Sequence, residues 1–216
     1  MAYRAVLYDM DGTVLDTLSD LEAACNTALK QFGLPERTRE KIRQSLGNGA
    51  DRLIRDCVPE GTDEELIRRV IAWYRPWYDE HCCILTGPYP GIVPLMERLK
   101  ARGIPQAIIS NKADAAVQEL AERFFPGLLE TAVGESAKVR CKPDPDAVLA
   151  AAEQIGVPIE ECVYVGDTEI DLATARNAGM DCLIVAWGFR NEDQLRAAGA
   201  TSIAYTPEEL EAQILA

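Results

Sequence analysis

Apolar and polar positions alternate along the chain in two distinct rhythms. Short, nearly continuous apolar runs at residues 5–8, 105–110, 162–166 and 182–186, with a weaker one at 202–205, read as strands. Stretches of helical period lie between them, at residues 92–102, 113–123, 145–155, 171–178 and 191–198. Gly103, Gly156, Gly179 and Gly199 each follow one of these stretches, where a left-handed cap would end a helix. Strands that are apolar on both sides suit a parallel sheet covered by helices on both faces. The expectation is an α/β fold with a three-layer, Rossmann-like core and a mostly parallel sheet.

One region breaks the alternation. Residues 16–86 contain no convincing strand, and helical periodicity covers 18–32, 37–46, 50–57 and 63–78. Gly33-Leu34-Pro35, Gly47-Asn48-Gly49 and Pro59-Glu60-Gly61 punctuate it as turns. The expected organisation is a core made of residues 1–15 and 87–216, with an all-helical second domain inserted at 16–86.

Composition narrows the class. Against 35 acidic residues stand 22 basic ones, a formal charge of −13, so the overall field repels nucleic acid and anionic membranes. An anionic substrate would need local compensation. The seven cysteines show no paired CxxC spacing and His81 is the only histidine, which argues against a zinc site and against a disulfide framework. The cysteines read mostly as small hydrophobes, and the first strand begins too early to leave room for a signal peptide. A reducing cytoplasm is the expected setting, with no membrane or nucleic-acid partner. Monomer and homodimer stay equally open.

Reactive side chains then fall at strand ends. Asp9 and Asp11 follow the first run, Ser110 and Asn111 end the second, Lys142 precedes a helical stretch, and Asp167 ends the 162–166 run with Asp171 four residues on. In an open parallel sheet, ligands bind beyond the carboxyl ends of the strands, so these groups should converge. Taken alone, Asp9-Met10-Asp11-Gly12-Thr13 fits an Asx turn as well as a reactive pair. Several carboxylates this close repel unless a cation sits among them, and oxygen donors without His or thiolate favour Mg²⁺. Asp9, Asp167 and the backbone carbonyl of Asp11 are the expected metal ligands. Lys142 and Ser110 are left to hold a phosphoryl group.

The chain resembles the haloacid dehalogenase superfamily in its phosphatase branch with a helical cap. Asp9-Met10-Asp11-Gly12-Thr13, Ser110-Asn111, Lys142-Pro143 and Gly166-Asp167 with Asp171 match that family's four motifs in order. The resemblance implies that Asp9 attacks phosphorus and Asp11 acts as acid and then base. It further implies that Ser110, the Asn111 amide and Thr13 contact the phosphoryl group, and that Asp171 binds a metal-coordinated water or orients Lys142. An acid at Asp11 favours phosphate esters over organohalides, since a halide leaving group needs no proton. In the cap, Gly47, Asn48 and Arg52 are the expected substrate contacts. His81 is expected to be non-catalytic, and Trp73, Tyr74 and Trp77 to be cap core. Gly47-Asn48-Gly49 and Trp187-Gly188-Phe189-Arg190 resemble the phosphoglycolate phosphatase group. The implied activity is Mg²⁺-dependent hydrolysis of a small phosphorylated metabolite. A phosphosugar mutase, a pyrophosphatase and a non-enzymatic binding protein on the same fold remain as alternatives.

Overall fold

A computed structural model describes residues 3–137 and 139–216. Strand β1 (Ala5–Tyr8) leads into the turn bearing Asp9 and Asp11, and β2 (Leu15–Asp16) follows. Four helices come next: α1 (Leu18–Gln31), α2 (Arg39–Gln44), α3 (Gly49–Cys57) and α4 (Glu64–His81). β3 (Gly87–Pro88) pairs antiparallel with β2, so the helical insert leaves and returns through one two-stranded ribbon. Asp20, buried near the start of α1, accepts hydrogen bonds from the Leu85 and Thr86 amides and ties the two arms together.

The remaining elements alternate. They are α5 (Ile92–Ala101), β4 (Gln106–Ala113), α6 (Asp114–Phe124), β5 (Thr131–Glu135), α7 (Asp146–Ile155), β6 (Cys162–Gly166), α8 (Glu169–Ala178), β7 (Asp181–Val185), α9 (Glu192–Ala197), β8 (Ile203–Ala204) and α10 (Pro207–Ile214). Six strands form one sheet in the order β5-β4-β1-β6-β7-β8, and every pairing in it is parallel. Val6, Tyr8, Ile108, Val163 and Val165 share an apolar cluster with Leu95 and Leu99 of α5 and Val117 and Leu120 of α6. Their neighbours Ala5, Leu7, Ala107, Ile109, Cys162 and Tyr164 pack with Val148 and Ala151 of α7 and Ala175 of α8. The period-two alternation thus feeds two helical layers, which gives the expected Rossmann-like α/β core.

Differences from the sequence reading have local causes. The strand expected to stop at Ser110 continues to Ala113, and its register against β5 is irregular between Ile109 and Ala113. β5 has no apolar run because it is an edge strand, half-buried along most of its length and interrupted by Gly134. Helix α10 follows Thr206, whose hydroxyl caps the Glu209 amide, with Pro207 in the first turn. The four glycines expected as helix stops all have positive φ, between 74° and 103°. All seven cysteines are free. No helix among the described residues is long and apolar enough to cross a membrane.

Candidate active site

β1 lies between β4 and β6, where the chain changes winding direction, and the reactive groups gather at the carboxyl ends of these three strands. The Asp9–Thr13 segment is a tight turn as well as a site. Met10 C=O accepts from the amides of Val14 and Leu15, and Gly12 takes φ +85°. A Cβ on Gly12 would stand 2.5 Å from Asp167 Oδ2, so the glycine serves both the turn and the close approach of that acid. Irregular register in β4 falls at Ser110, Asn111 and Lys112, where a bulge re-aims side chains.

Asp9, Asp167 and Asp171 are buried and each places an oxygen within 4.8 Å of the others. Lys142 Nζ sits 2.8 Å from both Asp9 Oδ1 and Asp171 Oδ1, and 3.1 Å from the Tyr164 hydroxyl. Burial alone would lower the Lys142 pKa, but the Asp171 and Asp9 carboxylates outweigh it and hold the ammonium well above its usual range. Burial, with Asp171 adding to it, raises the Asp167 carboxyl to about 7. Asp9 is raised by the same desolvation, opposed mainly by Lys142. With all three acids ionised, the buried carboxylates would exceed the one ammonium by two negative charges. Oxygen donors alone with that excess fit a hard divalent cation.

The three acids are held differently. Asp171 Oδ2 accepts from the Asp167 and Thr168 amides and the Thr168 hydroxyl, while its Oδ1 takes Lys142, so it orients the lysine and the loop. Asp167 is fixed by the Thr13 hydroxyl at 2.8 Å and the Phe189 amide at 2.7 Å. Asp9 Oδ1 accepts from the Met10 amide and Lys142, whereas its Oδ2 has no hydrogen-bond partner among the described residues. Asp11 pairs with Lys112 Nζ at 2.9 Å, and Ser110 Oγ lies 3.4 Å from its other oxygen. The Lys112 ammonium also reaches the Tyr78 hydroxyl.

A cavity of about 70 Å³ opens over this cluster between the sheet and the helical insert. Asp9, Asp11, Ser110 and Asn111 line its floor, and Gly47 is on its wall. Lys142, Asp167 and Asp171 stand behind Asp9 rather than in the lining. Thr13 does not reach the cavity as expected, because its buried hydroxyl is spent on Asp167. The Asn111 side chain is also engaged: it donates to Gly47 C=O and Lys142 C=O and accepts from the Lys142 amide.

Two expected insert contacts lie elsewhere. Arg52 is 63% exposed and pairs with Asp56 one turn on, and Asn48 is exposed outside the lining. The i,i+4 spacing of Arg52 and Asp56 was the signal for a solvated pair. Arg52→Ala is accordingly expected to change KM by less than about twofold, as for surface positions generally; a tenfold rise in steady-state KM would contradict that placement.

Arg75, Lys112, Tyr74 and Tyr78 are among the lining residues that the sequence did not single out as a site. Arg75 pairs with Asp51 at 2.7 Å and approaches Glu135 on the core at 3.5 Å. Tyr74 and Tyr78, one turn apart, stack at 5.7 Å. Tyr74 is thus buried, as expected, but it also forms cavity wall. His81 stacks on Trp77 and its Nδ1 contacts Trp77 C=O, away from the cavity.

Known proteins share this architecture. A protein from Pseudomonas aeruginosa named phosphoglycolate phosphatase 1 is 34% identical over 195 residues, spanning 87% of this chain and 71% of its own length. An N-acetylmuramic acid 6-phosphate phosphatase from the same organism is 29% identical over 97% of this chain and 94% of its own. The crystal structure of a phosphoglycolate phosphatase candidate from Lactobacillus delbrueckii subsp. bulgaricus superposes with a TM-score of 0.95 at 40% identity, covering 100% of this chain and 99% of that one. The family model for haloacid dehalogenase-like hydrolases matches residues 6–185. With three motif segments at the carboxyl ends of β1, β4 and β6, Lys142 reaching in beside them, and that match across most of the chain, the protein belongs to the haloacid dehalogenase-like hydrolases.

Proposed function

We propose that the protein hydrolyses a small phosphate monoester through a phosphoryl group carried on Asp9, with phosphoglycolate as the leading substrate and α1–α4 acting as a cap. One observation carries the reading: Lys142 and the Met10 amide pin Asp9 Oδ1, leaving Oδ2 without a hydrogen-bond partner among the described residues, under a cavity that also holds Asp11. Asp9 Oδ2 attacks phosphorus, and Asp11 protonates the departing alcohol. Asp11 then takes a proton from water, which attacks phosphorus and frees Asp9 and phosphate. Lys112, paired with Asp11 Oδ1, holds that carboxyl over the floor. Lys142 and Ser110 offset charge on the phosphoryl oxygens, and Asp171 aims Lys142. Asp9, Asp167 and the Asp11 carbonyl would hold Mg²⁺, which supplies positive charge at the transferring group. A cavity of about 70 Å³ supports a small ester over a polymeric one.

Phosphate release should be measured with Mg²⁺ for phosphoglycolate, N-acetylmuramic acid 6-phosphate, hexose phosphates and pyrophosphate. The expected result is turnover of phosphoglycolate that stops on chelation with EDTA. An isomerised hexose phosphate without released phosphate would indicate a mutase, and turnover of pyrophosphate alone a pyrophosphatase. No turnover of any of them would leave a binding protein on this fold.

A further inference from the structure

Residues 187–190 form a strap whose side chains and amides reach three separate parts of the molecule. Trp187 Nε1 donates to Thr13 C=O at 3.0 Å, behind the Asp9 turn. The Gly188 backbone packs so tightly on Asp167 that a Cβ there would overlap its carboxyl group. The Phe189 amide donates to Asp167 Oδ2. Arg190 then crosses to the insert, where Nη2 donates to Leu46 C=O at 2.9 Å and Nη1 to Arg43 C=O at 3.3 Å, at the end of α2. Its guanidinium is buried and is aimed by Glu169, which accepts from Nε at 2.8 Å and Nη2 at 2.9 Å.

The placement is not simple core packing. Arg43 C=O, in the last turn of α2, also accepts from the Leu46 amide at 3.3 Å, and Leu46 C=O lies just beyond the helix, so the planar guanidinium fork bridges the helix end and the loop that follows it. The insert loop is gripped a second time, where Asn111 Nδ2 donates to Gly47 C=O. Gly47 in turn lies against Ile170 on α8, beside the loop bearing Asp167. Asp9 and Ser110 are only 5% and 6% exposed and line the cavity under the insert, so the position of the insert governs how an ester reaches them.

We propose that Arg190 is a latch: a positioning residue that fastens the α2–α3 loop over the acid cluster and ties closure of the insert to the segment that holds Asp167. The catalytic part of the claim rests on the phosphatase reading, whereas the docking part does not. Lysine cannot replace it, because a single ammonium does not span both carbonyls with the geometry of the guanidinium fork.

The test pairs amide hydrogen exchange with steady-state kinetics on Arg190→Lys and Glu169→Gln, the latter at a half-exposed residue. Exchange at residues 44–50 should rise about tenfold or more in Arg190→Lys and less in Glu169→Gln, while protection in β1 and β6 stays at the wild-type level. That size corresponds to one lost charge-assisted hydrogen bond. KM for the ester should rise by a similar factor, with a smaller change in kcat, because a poorly populated closed state lowers apparent affinity. Unchanged exchange at 44–50 in both variants would overturn the latch. Equal loss of protection in loop and strands would also overturn it, since Arg190 would then only stabilise the core. A wild-type protein inactive on every ester, with loop exchange still rising in the variants, would sink the phosphatase reading and leave the docking role standing.

Discussion

Asp9→Asn is expected to lower kcat by about 10⁴- to 10⁶-fold, the range for losing a nucleophile that works with a tuned set of partners. Asparagine keeps the side-chain size and an oxygen that accepts from the Met10 amide. Lys142 retains Asp171 at 2.8 Å, so the loop stays assembled. The loss should therefore appear in chemistry with little change in the melting temperature. Acid-quenched wild type incubated with ³²P-labelled ester should carry label on the protein, and Asp9→Asn should carry none. Label on the variant, or turnover near the wild-type rate, would place the nucleophile elsewhere.

Lys142→Met should be the most destabilising single change in the site. It leaves Asp9 and Asp171 buried beside Asp167 with no ammonium among them. Breaking a buried pair in this way costs about 3–5 kcal/mol, or roughly 6–20 °C in Tm for a chain of this length. The pH dependence follows from the direction of the carboxyl shifts. Burial raises Asp9, and Asp167 to about 7, so the folded state takes up protons there more readily than the unfolded chain. Above those values the acids are charged and the penalty is fully expressed; as pH falls through them the acids become neutral and the penalty shrinks. Melting curves in EDTA at pH 8 and pH 5.5 should show a smaller difference between variant and wild type at the lower pH. An equal loss at both would mean that the missing contacts are those of packing, not charge.

Much of the core was legible because its signals are local. β1 and β6 are continuous apolar runs with both faces covered, and both match the expected residues at both ends. Asp9, Asp11, Ser110 and Asp167 were singled out by the same route, since a polar residue at the end of an apolar run is visible within five positions, and the structure brings the four side chains to one end of the sheet. β5 escaped because an edge strand has little to bury, and β2 and β3 escaped because two residues cannot show a period. Thr13 was misread for a different reason. Its hydroxyl points to Asp167, 154 positions away in the chain, and no local pattern announces that choice. Arg75 was hidden inside the amphipathic period of α4, and its core partner Glu135 lies on the strand that was missed. Arg52 had the composition of a ligand-binding residue, but its own helix already supplied Asp56.

The donors that reach the insert loop from the core, Arg190 and Asn111, all end on backbone carbonyls of residues 43, 46 and 47. A carbonyl is present whatever side chain the position bears. The loop can therefore exchange side chains at its exposed positions, such as Asn48, and keep the same attachment to the sheet. Substitutions there should leave docking at the wild-type level, and changes at Arg190 or Asn111 should weaken it whatever side chains the loop bears. Attachment of the insert is thus carried by main-chain atoms that a change of sequence at those positions leaves in place.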